Sequence, residues 1–201
     1  MRMIEAHLAA TVAAFGNDAT PVYVHTIDHP QGLVLVDTGM IDSTPELDEE
    51  WAPVPKLLPD ELVGRVALVV NTHLHFDHCG GNRRFAGTPI HVQRRELADA
   101  RSDDDYTIPE WVDFAGATYV EHDGEVELLP GVRLLPTPGH TRGHQSVLVE
   151  TPDGPQLLGG DVAYSFRELG EGATEGQRLA LELAVPTWLA HVERPHVPRP
   201  N

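Results

Sequence analysis

The chain has 201 residues, which suits one domain with a sizeable core and is short for two domains. Its hydrophobic residues (41%) and charged residues (22%) are balanced as in globular proteins, which argues against a disordered chain. Aspartate and glutamate outnumber lysine and arginine by 31 to 14, and the resulting formal charge of -17 disfavours nucleic acid and anionic membranes as partners.

The first half of the chain predicts strands with helices between them. Residues 22–28 and 32–37 are rich in valine, isoleucine and leucine and predict a hairpin of two buried strands. Residues 41–59 are acidic and contain four prolines, which predicts a loop on the surface. Two further strands, and a helix after them, are predicted at residues 66–71, 89–93 and 94–100.

The second half predicts a series of short strands. Residues 103–116 are acidic and irregular and predict a connector or a lid. From Thr118 onward, short apolar runs alternate with tight turns at Gly124, Gly131, Gly139 and Gly154. A helix is predicted over residues 177–184. This order predicts an α/β fold in which two sheets pack together with helices outside, in a single domain over residues 1–201.

Two features bear on where the protein acts. The longest uncharged, apolar-leaning stretch, residues 8–16, is too short to span a bilayer and too weakly hydrophobic for the core of a signal peptide. Cys79 is the only cysteine, which excludes an internal disulfide and fits a reducing compartment. We therefore expect a cytoplasmic protein that does not associate with membranes.

The segment that carries chemistry follows the strand predicted at residues 66–71 and reads NTHLHFDHCGGN. It places four metal-binding side chains within six residues: His73, His75, Asp77 and His78. His73 and His75 alternate by two, so an extended backbone points both imidazoles to one side. Imidazole and carboxylate ligands without a thiolate are typical of Zn²⁺, Fe²⁺ or Mn²⁺ in catalytic sites, and the segment predicts such a site.

Two later segments extend this pattern. His140 lies in the sequence TPGHTRGH, and Asp161 ends the sequence GGD. Together with the first segment, they resemble the ligand series of the metallo-β-lactamase superfamily, which implies a four-layer αββα sandwich with a dinuclear metal centre at one edge. Further stretches resemble the N-acyl homoserine lactonases within that superfamily: residues 36–40, 75–82, 90–94 and 137–146.

The resemblance implies a role for each matching residue. Six residues would hold two Zn²⁺ ions, with Fe²⁺ and Mn²⁺ as alternatives: His73, His75 and His140 at one ion, Asp77 and His78 at the other, and Asp161 between them. Asp37 matches a family position that orients a ligand imidazole. Tyr164 matches a phenol that contacts the substrate carbonyl, although an ordinary half-buried tyrosine fits its sequence equally well.

The implied reaction is the opening of the lactone ring of an N-acyl homoserine lactone by a metal-bound hydroxide. Tyr164 would help to stabilise the developing oxyanion, and Asp77 would deliver a proton to the leaving alkoxide. Other hydrolases of the superfamily remain alternatives, namely a thioesterase resembling glyoxalase II, a β-lactamase or an esterase. The substrates of the thioesterase and the β-lactamase carry carboxylates and need a cationic clamp, and the scarcity of basic residues after Asp161 favours a neutral substrate.

The C-terminal end departs from the family pattern. Members usually continue from the bridging aspartate through a helix and a strand to a last histidine ligand. Residues 185–201 are rich in proline and do not predict that strand, and neither His191 nor His196 has the expected setting. The sequence leaves open whether either one replaces that ligand and whether the sandwich is complete. A non-catalytic family member that binds metal is therefore a further alternative, and the oligomeric state stays undetermined.

Overall fold

Two β-sheets form the framework of the computed structural model, which describes residues 3–14, 16–103 and 105–201. The strands of the first sheet are β1 (Met3–Ala14), β2 (Asn17–His29), β3 (Gly32–Val36), β4 (Val54–Pro55), β5 (Val66–Val70), β6 (Pro89–Gln93) and β7 (Thr118–His122). They lie in the order β4-β1-β2-β3-β5-β6-β7. The pairs from β3 to β7 are parallel, so the carboxyl ends of these strands meet at one edge.

The second sheet is built mainly from consecutive strands. They are β8 (Val126–Leu129), β9 (Val132–Pro136), β10 (Gln145–Thr151), β11 (Gly154–Gly160) and β12 (Thr187–Leu189), and they lie in the order β12-β11-β10-β9-β8. The pairs from β8 to β11 are antiparallel, whereas β12 pairs with β11 in parallel. The carboxyl ends of β11 and β12 therefore lie side by side.

The helices are short and connect the strands. They are α1 (Pro45–Trp51), α2 (Asp60–Val63), α3 (Phe76–Cys79), α4 (Arg94–Ser102), α5 (Pro109–Val112), α6 (Phe166–Leu169) and α7 (Glu175–Leu183), with a 3₁₀ turn at Asn82–Phe85. A capping box between Thr174 and Gln177 starts α7. Among the described residues, no helix has the length and apolar character needed to cross a membrane.

The core lies between the two sheets. Its buried side chains come from both of them: Ile27, Val34, Val36 and Val70 from the first sheet, and Val132, Leu134, Val147, Val149 and Leu158 from the second. Most of these residues are β-branched, which suits the packing of pleated surfaces. Burial of a side chain of this size contributes about 1.5–3 kcal/mol, so this interface holds the framework together.

Helices cover the outer face of each sheet. On the second sheet, Leu148 and Leu157 pack with Leu169 of α6 and Ala180 of α7. On the first sheet, Val92 packs with side chains of α4. The predicted order of two sheets with helices outside is therefore confirmed, and it matches the αββα sandwich.

Several predicted elements are confirmed with small shifts of their ends. The hairpin is β2 and β3, joined where His29 pairs with Gly32. The strands predicted at residues 66–71 and 89–93 are β5 and β6. The predicted helices at residues 94–100 and 177–184 are α4 and α7.

Other predictions were missing or incomplete. No strand was predicted at Met3–Ala14, where β1 has an alanine-rich sequence of low strand propensity and forms by pairing with β2. Residues 41–59 contain α1 as well as β4, because Thr44 caps the helix and Pro45 occupies its first turn. The connector at residues 103–116 includes α5.

The C-terminal tail also differs from expectation. Residues 185–201 contain β12. The proline-rich sequence did not predict this strand, because it has only three residues and follows Pro186 directly. Pairing with β11 extends the second sheet at this end. The tail therefore supplies the strand that the sequence did not predict.

Candidate metal centre

Five chain segments bring imidazoles and carboxylates to one edge of the sandwich. The loop after β5 carries His73 and His75, and α3 follows it directly. The loop between β9 and β10 carries His140. Asp161 follows β11, and His191 lies two residues after β12. The edge is thus built from the carboxyl ends of strands in both sheets, where loops commonly place functional side chains.

The first group of ligand atoms consists of three imidazoles. Nε2 of His140 lies 3.2 Å from Nε2 of His73 and 2.9 Å from Nδ1 of His75. The three nitrogens lie within 4.8 Å of one another and face a common point. Burial and the neighbouring imidazoles lower the pKa of His75 to about 3, and burial lowers the pKa values of His73 and His140. All three rings are therefore neutral near pH 7, the state in which imidazole binds metal.

The second group lies on the other side of Asp161. Its members are Asp77, His78 and His191, whose ligand atoms again lie within 4.8 Å of one another. Nε2 of His78 is 3.6 Å from a carboxylate oxygen of Asp77 and 3.5 Å from Oδ2 of Asp161. The arrangement brings together all six predicted ligands and adds one residue, His191.

Asp161 stands between the two groups. Its Oδ2 lies 3.2 Å from Nε2 of His191 and 3.7 Å from Nε2 of His140. Burial opposes ionisation of this carboxyl, but His78 and His191 outweigh burial and hold its pKa well below the usual range. Burial likewise opposes protonation of His78, yet the carboxylates of Asp161 and Asp77 raise its pKa well above the usual range.

These groups fit a pair of divalent cations. Nε2 of His78 and Oδ1 of Asp161 are buried and have no hydrogen-bond partner among the described residues. A buried, unpartnered polar atom costs about 1–3 kcal/mol, and a cation between these groups would satisfy both atoms. The donor set holds imidazoles and carboxylates and lacks thiolates, which suits Zn²⁺, Fe²⁺ or Mn²⁺.

Of the two tail histidines that the sequence left open as candidates, His191 lies at this edge. Its Nδ1 contacts the backbone carbonyl of Pro21 at 2.8 Å, which turns Nε2 toward Asp161. His196 lies elsewhere, because its backbone pairs with Thr187 and its ring contacts Phe166. The sequence held no local signal for His191, since parallel pairing of β12 with β11 brings it to the edge.

Asp37 supports the second group through hydrogen-bond contacts with His78 and with the neighbouring loop. It follows β3 with a positive φ of 61°, and its carboxylate accepts hydrogen bonds from the backbone N–H of Thr72 at 2.7 Å and from the Thr72 hydroxyl at 2.8 Å. Its Oδ2 also lies 2.9 Å from Nδ1 of His78. This contact orients the His78 ring and turns its Nε2 toward the carboxylates of Asp77 and Asp161.

A cavity of about 540 Å³ opens over both groups. Asp77, His140 and Asp161 line its polar end, together with Tyr164, whose hydroxyl oxygen lies 3.0 Å from Nδ1 of His140. The lining also includes apolar side chains: Val12, Leu47, Trp51, Phe76 and Ile108. The cavity therefore offers both polar and apolar surface to one ligand.

Cys79 takes no part in this site. Its side chain is buried, and its thiol donates a hydrogen bond to the carbonyl of Leu74 at 3.3 Å. Burial raises the pKa of this thiol to about 12, so the nucleophilic thiolate is absent near pH 7. The interpretation of Cys79 as a small core residue is consistent with this environment.

Comparison with known proteins identifies the family. The sequence pattern of the metallo-beta-lactamase superfamily matches residues 17–184. The chain belongs to the metallo-β-lactamase superfamily. An N-acyl homoserine lactonase of a Bacillus species is 36% identical over 164 residues, which cover 72% of this chain and 65% of that protein. This superfamily member thus spans less than two thirds of that relative's length.

Two further comparisons agree. The N-acyl homoserine lactonase AttM of Azorhizobium caulinodans is 31% identical over 195 residues, covering 78% of this superfamily member and 70% of AttM. A crystal structure of a quorum-quenching N-acyl homoserine lactone lactonase superposes with a TM-score of 0.76 at 27% identity and covers 95% of this chain and 94% of that one. Its fold thus matches the sandwich described above over nearly the whole chain.

The contribution of the three hydrogen-bond contacts of Asp37 can be tested by measuring the stability of Asp37 variants. We expect Asp37→Ala to lower the free energy of unfolding by about 3–5 kcal/mol, because the buried hydrogen-bond donors of Thr72 and His78 lose their acceptor. Asp37→Asn is the matched control and should lose clearly less, since asparagine tolerates positive φ and keeps one acceptor oxygen. Urea unfolding measures both values. Equal losses in the two variants would contradict this role for the carboxylate.

Proposed function

We propose that this chain is a metal-dependent hydrolase that opens the lactone ring of N-acyl homoserine lactones. The observation that carries the proposal is the pair of ligand groups on either side of Asp161, beside one cavity. Relatives that share up to 36% of aligned residues with the chain bear the name N-acyl homoserine lactonase. The apolar side chains of the cavity lining suit an acyl chain.

The proposed ligands are seven residues: His73, His75 and His140 for one ion, Asp77, His78 and His191 for the other, and Asp161 shared between them. We propose Zn²⁺ as the resident ion, with Fe²⁺ and Mn²⁺ as alternatives that the same donors accept. When bound, such ions lower the pKa of coordinated water to about 7 and polarise a carbonyl oxygen.

Tyr164 is proposed to donate a hydrogen bond to the lactone carbonyl. When Nε2 of His140 faces the ligand group, the ring proton sits on Nδ1 and is donated to the Tyr164 oxygen. The phenol lines the cavity together with Asp77 and Asp161. Burial and the charge of Asp161 raise the pKa of Tyr164, so the phenol keeps its proton across the neutral range. A donor placed at the developing oxyanion stabilises the transition state.

Asp77 is proposed to handle the proton of the leaving group. It lines the same cavity, and only 11% of its side chain is exposed. Ring opening leaves an alkoxide that needs one proton, and a carboxylate beside the scissile bond can take that proton from the attacking water and pass it to the alkoxide oxygen. Tyr164 and Asp77 thus act on opposite ends of the bond that breaks.

The alternatives differ in what they require of the cavity. Carboxylate-bearing substrates of thioesterases or β-lactamases need cations, whereas the cavity lining includes Glu46, Glu50 and Asp105 and, among the described residues, no lysine or arginine. This lining favours a neutral lactone or ester. A non-catalytic protein is disfavoured because His191 stands where the last histidine ligand is needed. We also propose a single domain over residues 1–201 and a cytoplasmic location; the single domain is supported by the continuous inter-sheet core.

The direct test is proton release when zinc-loaded protein meets an N-acyl homoserine lactone. Ring opening near neutral pH liberates one proton per turnover, because the product is an ionised acid. We expect catalytic release by the wild type and none by a His73→Ala/His75→Ala double variant. Hydrolysis of simple thioesters or esters alone would favour the alternative hydrolases. No hydrolysis of any of these substrates would support the non-catalytic alternative.

Tyr164→Phe tests the proposed donor. Loss of one oxyanion donor lowers kcat by about 10²-fold, and we expect a decrease of that order with little change in zinc content. Tyr119→Phe is the control, since its hydroxyl bonds the carbonyl of Val112 away from the cavity. Steady-state kinetics measure both variants. Unchanged kinetics in Tyr164→Phe would remove the phenol from the mechanism.

A further inference from the structure

One buried carboxylate beside the metal centre has no place in the proposed ligand set. Glu96 lies in the first turn of α4 and is completely buried. Its Oε1 accepts hydrogen bonds from the backbone N–H of Leu74 at 2.8 Å and from the hydroxyl of Tyr106 at 2.5 Å. Its Oε2 accepts a hydrogen bond from the hydroxyl of Thr141 at 2.7 Å. One side chain therefore joins three segments that are distant in sequence.

Each of these three segments forms part of the site. Leu74 lies between His73 and His75, so its backbone N–H belongs to the loop that presents both imidazoles. Thr141 follows His140 directly in the other imidazole-bearing loop. The carboxylate thus holds the two loops that supply the first ligand group, without touching an imidazole itself.

Tyr106 connects the same carboxylate to the cavity. Its ring packs against the ring of His75 at a centroid distance of 5.1 Å, and it lines the cavity wall. Its hydroxyl bond to Glu96 fixes this position. Glu96 therefore acts on His75 in two ways: it holds the preceding backbone N–H of Leu74, and it holds the tyrosine that packs against the His75 ring.

The backbone of the second loop is fitted closely to α4. A Cβ atom on Gly143 would lie 2.2 Å from the backbone nitrogen of Glu96, so only glycine permits this approach. Just outside, Arg142 forms an ion pair with Asp99 of the same helix at 2.8 Å. The close contact at Gly143 brings Thr141 within reach of the carboxylate.

We propose that Glu96 is a positioning residue that fixes the separation of His140 from His73 and His75, an inference that rests on the proposed metal site. A carboxylate suits this place because its two oxygens accept from three donors at once. An apolar side chain would leave the buried N–H of Leu74 and two hydroxyls without partners. Such supporting contacts set how well ligands converge on a metal ion.

The test is the zinc affinity of the full chain, measured by competition with a chromophoric chelator. We expect Glu96→Ala to weaken zinc binding by about 10–100-fold, the range typical of lost supporting contacts. Glu96→Gln should recover most of that affinity, because its oxygen can accept from Leu74 and Tyr106 while its amide donates to the Thr141 hydroxyl. Val149→Ala in the inter-sheet core is the control for general destabilisation.

Thr141→Val provides a second variant that removes a single bond to Glu96, and it decides the outcome if Glu96→Ala does not fold. It should weaken zinc binding while Val149→Ala does not. The inference is overturned if wild type, Thr141→Val and Glu96→Gln bind zinc with equal affinity while Glu96→Ala either matches Val149→Ala or does not fold. Because the readout is metal affinity, a wild type that binds zinc but hydrolyses no lactone refutes the proposed activity alone. A wild type that binds no zinc overturns both.

Discussion

The arrangement at this edge depends on the burial of one carboxylate, Asp161, between two groups of imidazoles. One oxygen lies within 3.7 Å of nitrogens from His78, His140 and His191, while the other oxygen has no hydrogen-bond partner among the described residues. A buried charge is tolerated only when opposite charge and hydrogen bonds surround it. The fold supplies that surrounding by bringing strand ends from both sheets to the same place.

Two other buried carboxylates hold this arrangement from opposite sides. Asp37, at the end of β3, forms hydrogen-bond contacts with His78 and with the backbone of Thr72. Glu96, at the start of α4, accepts hydrogen bonds from both loops that carry the first ligand group. In the part of the chain that the structure describes, neither residue belongs to a group that could hold an ion; Asp37 contacts a donor of the second group, and Glu96 holds the loops that carry the first. The ligand groups are thus fixed by rigid elements of the framework, which is how preorganised sites are built.

The sequence predicted those parts of the site that depend on local spacing. His73, His75, Asp77 and His78 follow one strand within six residues, and that strand is confirmed as β5. The segments of His140 and Asp161 extended that pattern, and the family resemblance implied the roles of all six residues and the αββα architecture. The structure brings the donor atoms of all six together at one edge.

The sequence could not reveal contacts made by pairing between distant segments. His191 reaches the site because β12, only three residues long, pairs in parallel with β11. β1 forms from an alanine-rich segment because β2 offers it a long partner. Glu96 stands in an ordinary helical sequence, and only the packing of α4 against the loop at Gly143 shows what it touches.

The central claim is that this chain provides complete donor sets for two metal ions, including the one that His191 completes. The most direct measurement is the metal content of purified wild-type and His191→Ala protein by elemental mass spectrometry after removal of loosely bound ions. We expect two ions per wild-type chain and one tightly bound ion in His191→Ala. One ion or none in the wild type, or two tightly held ions in the variant, would contradict this claim.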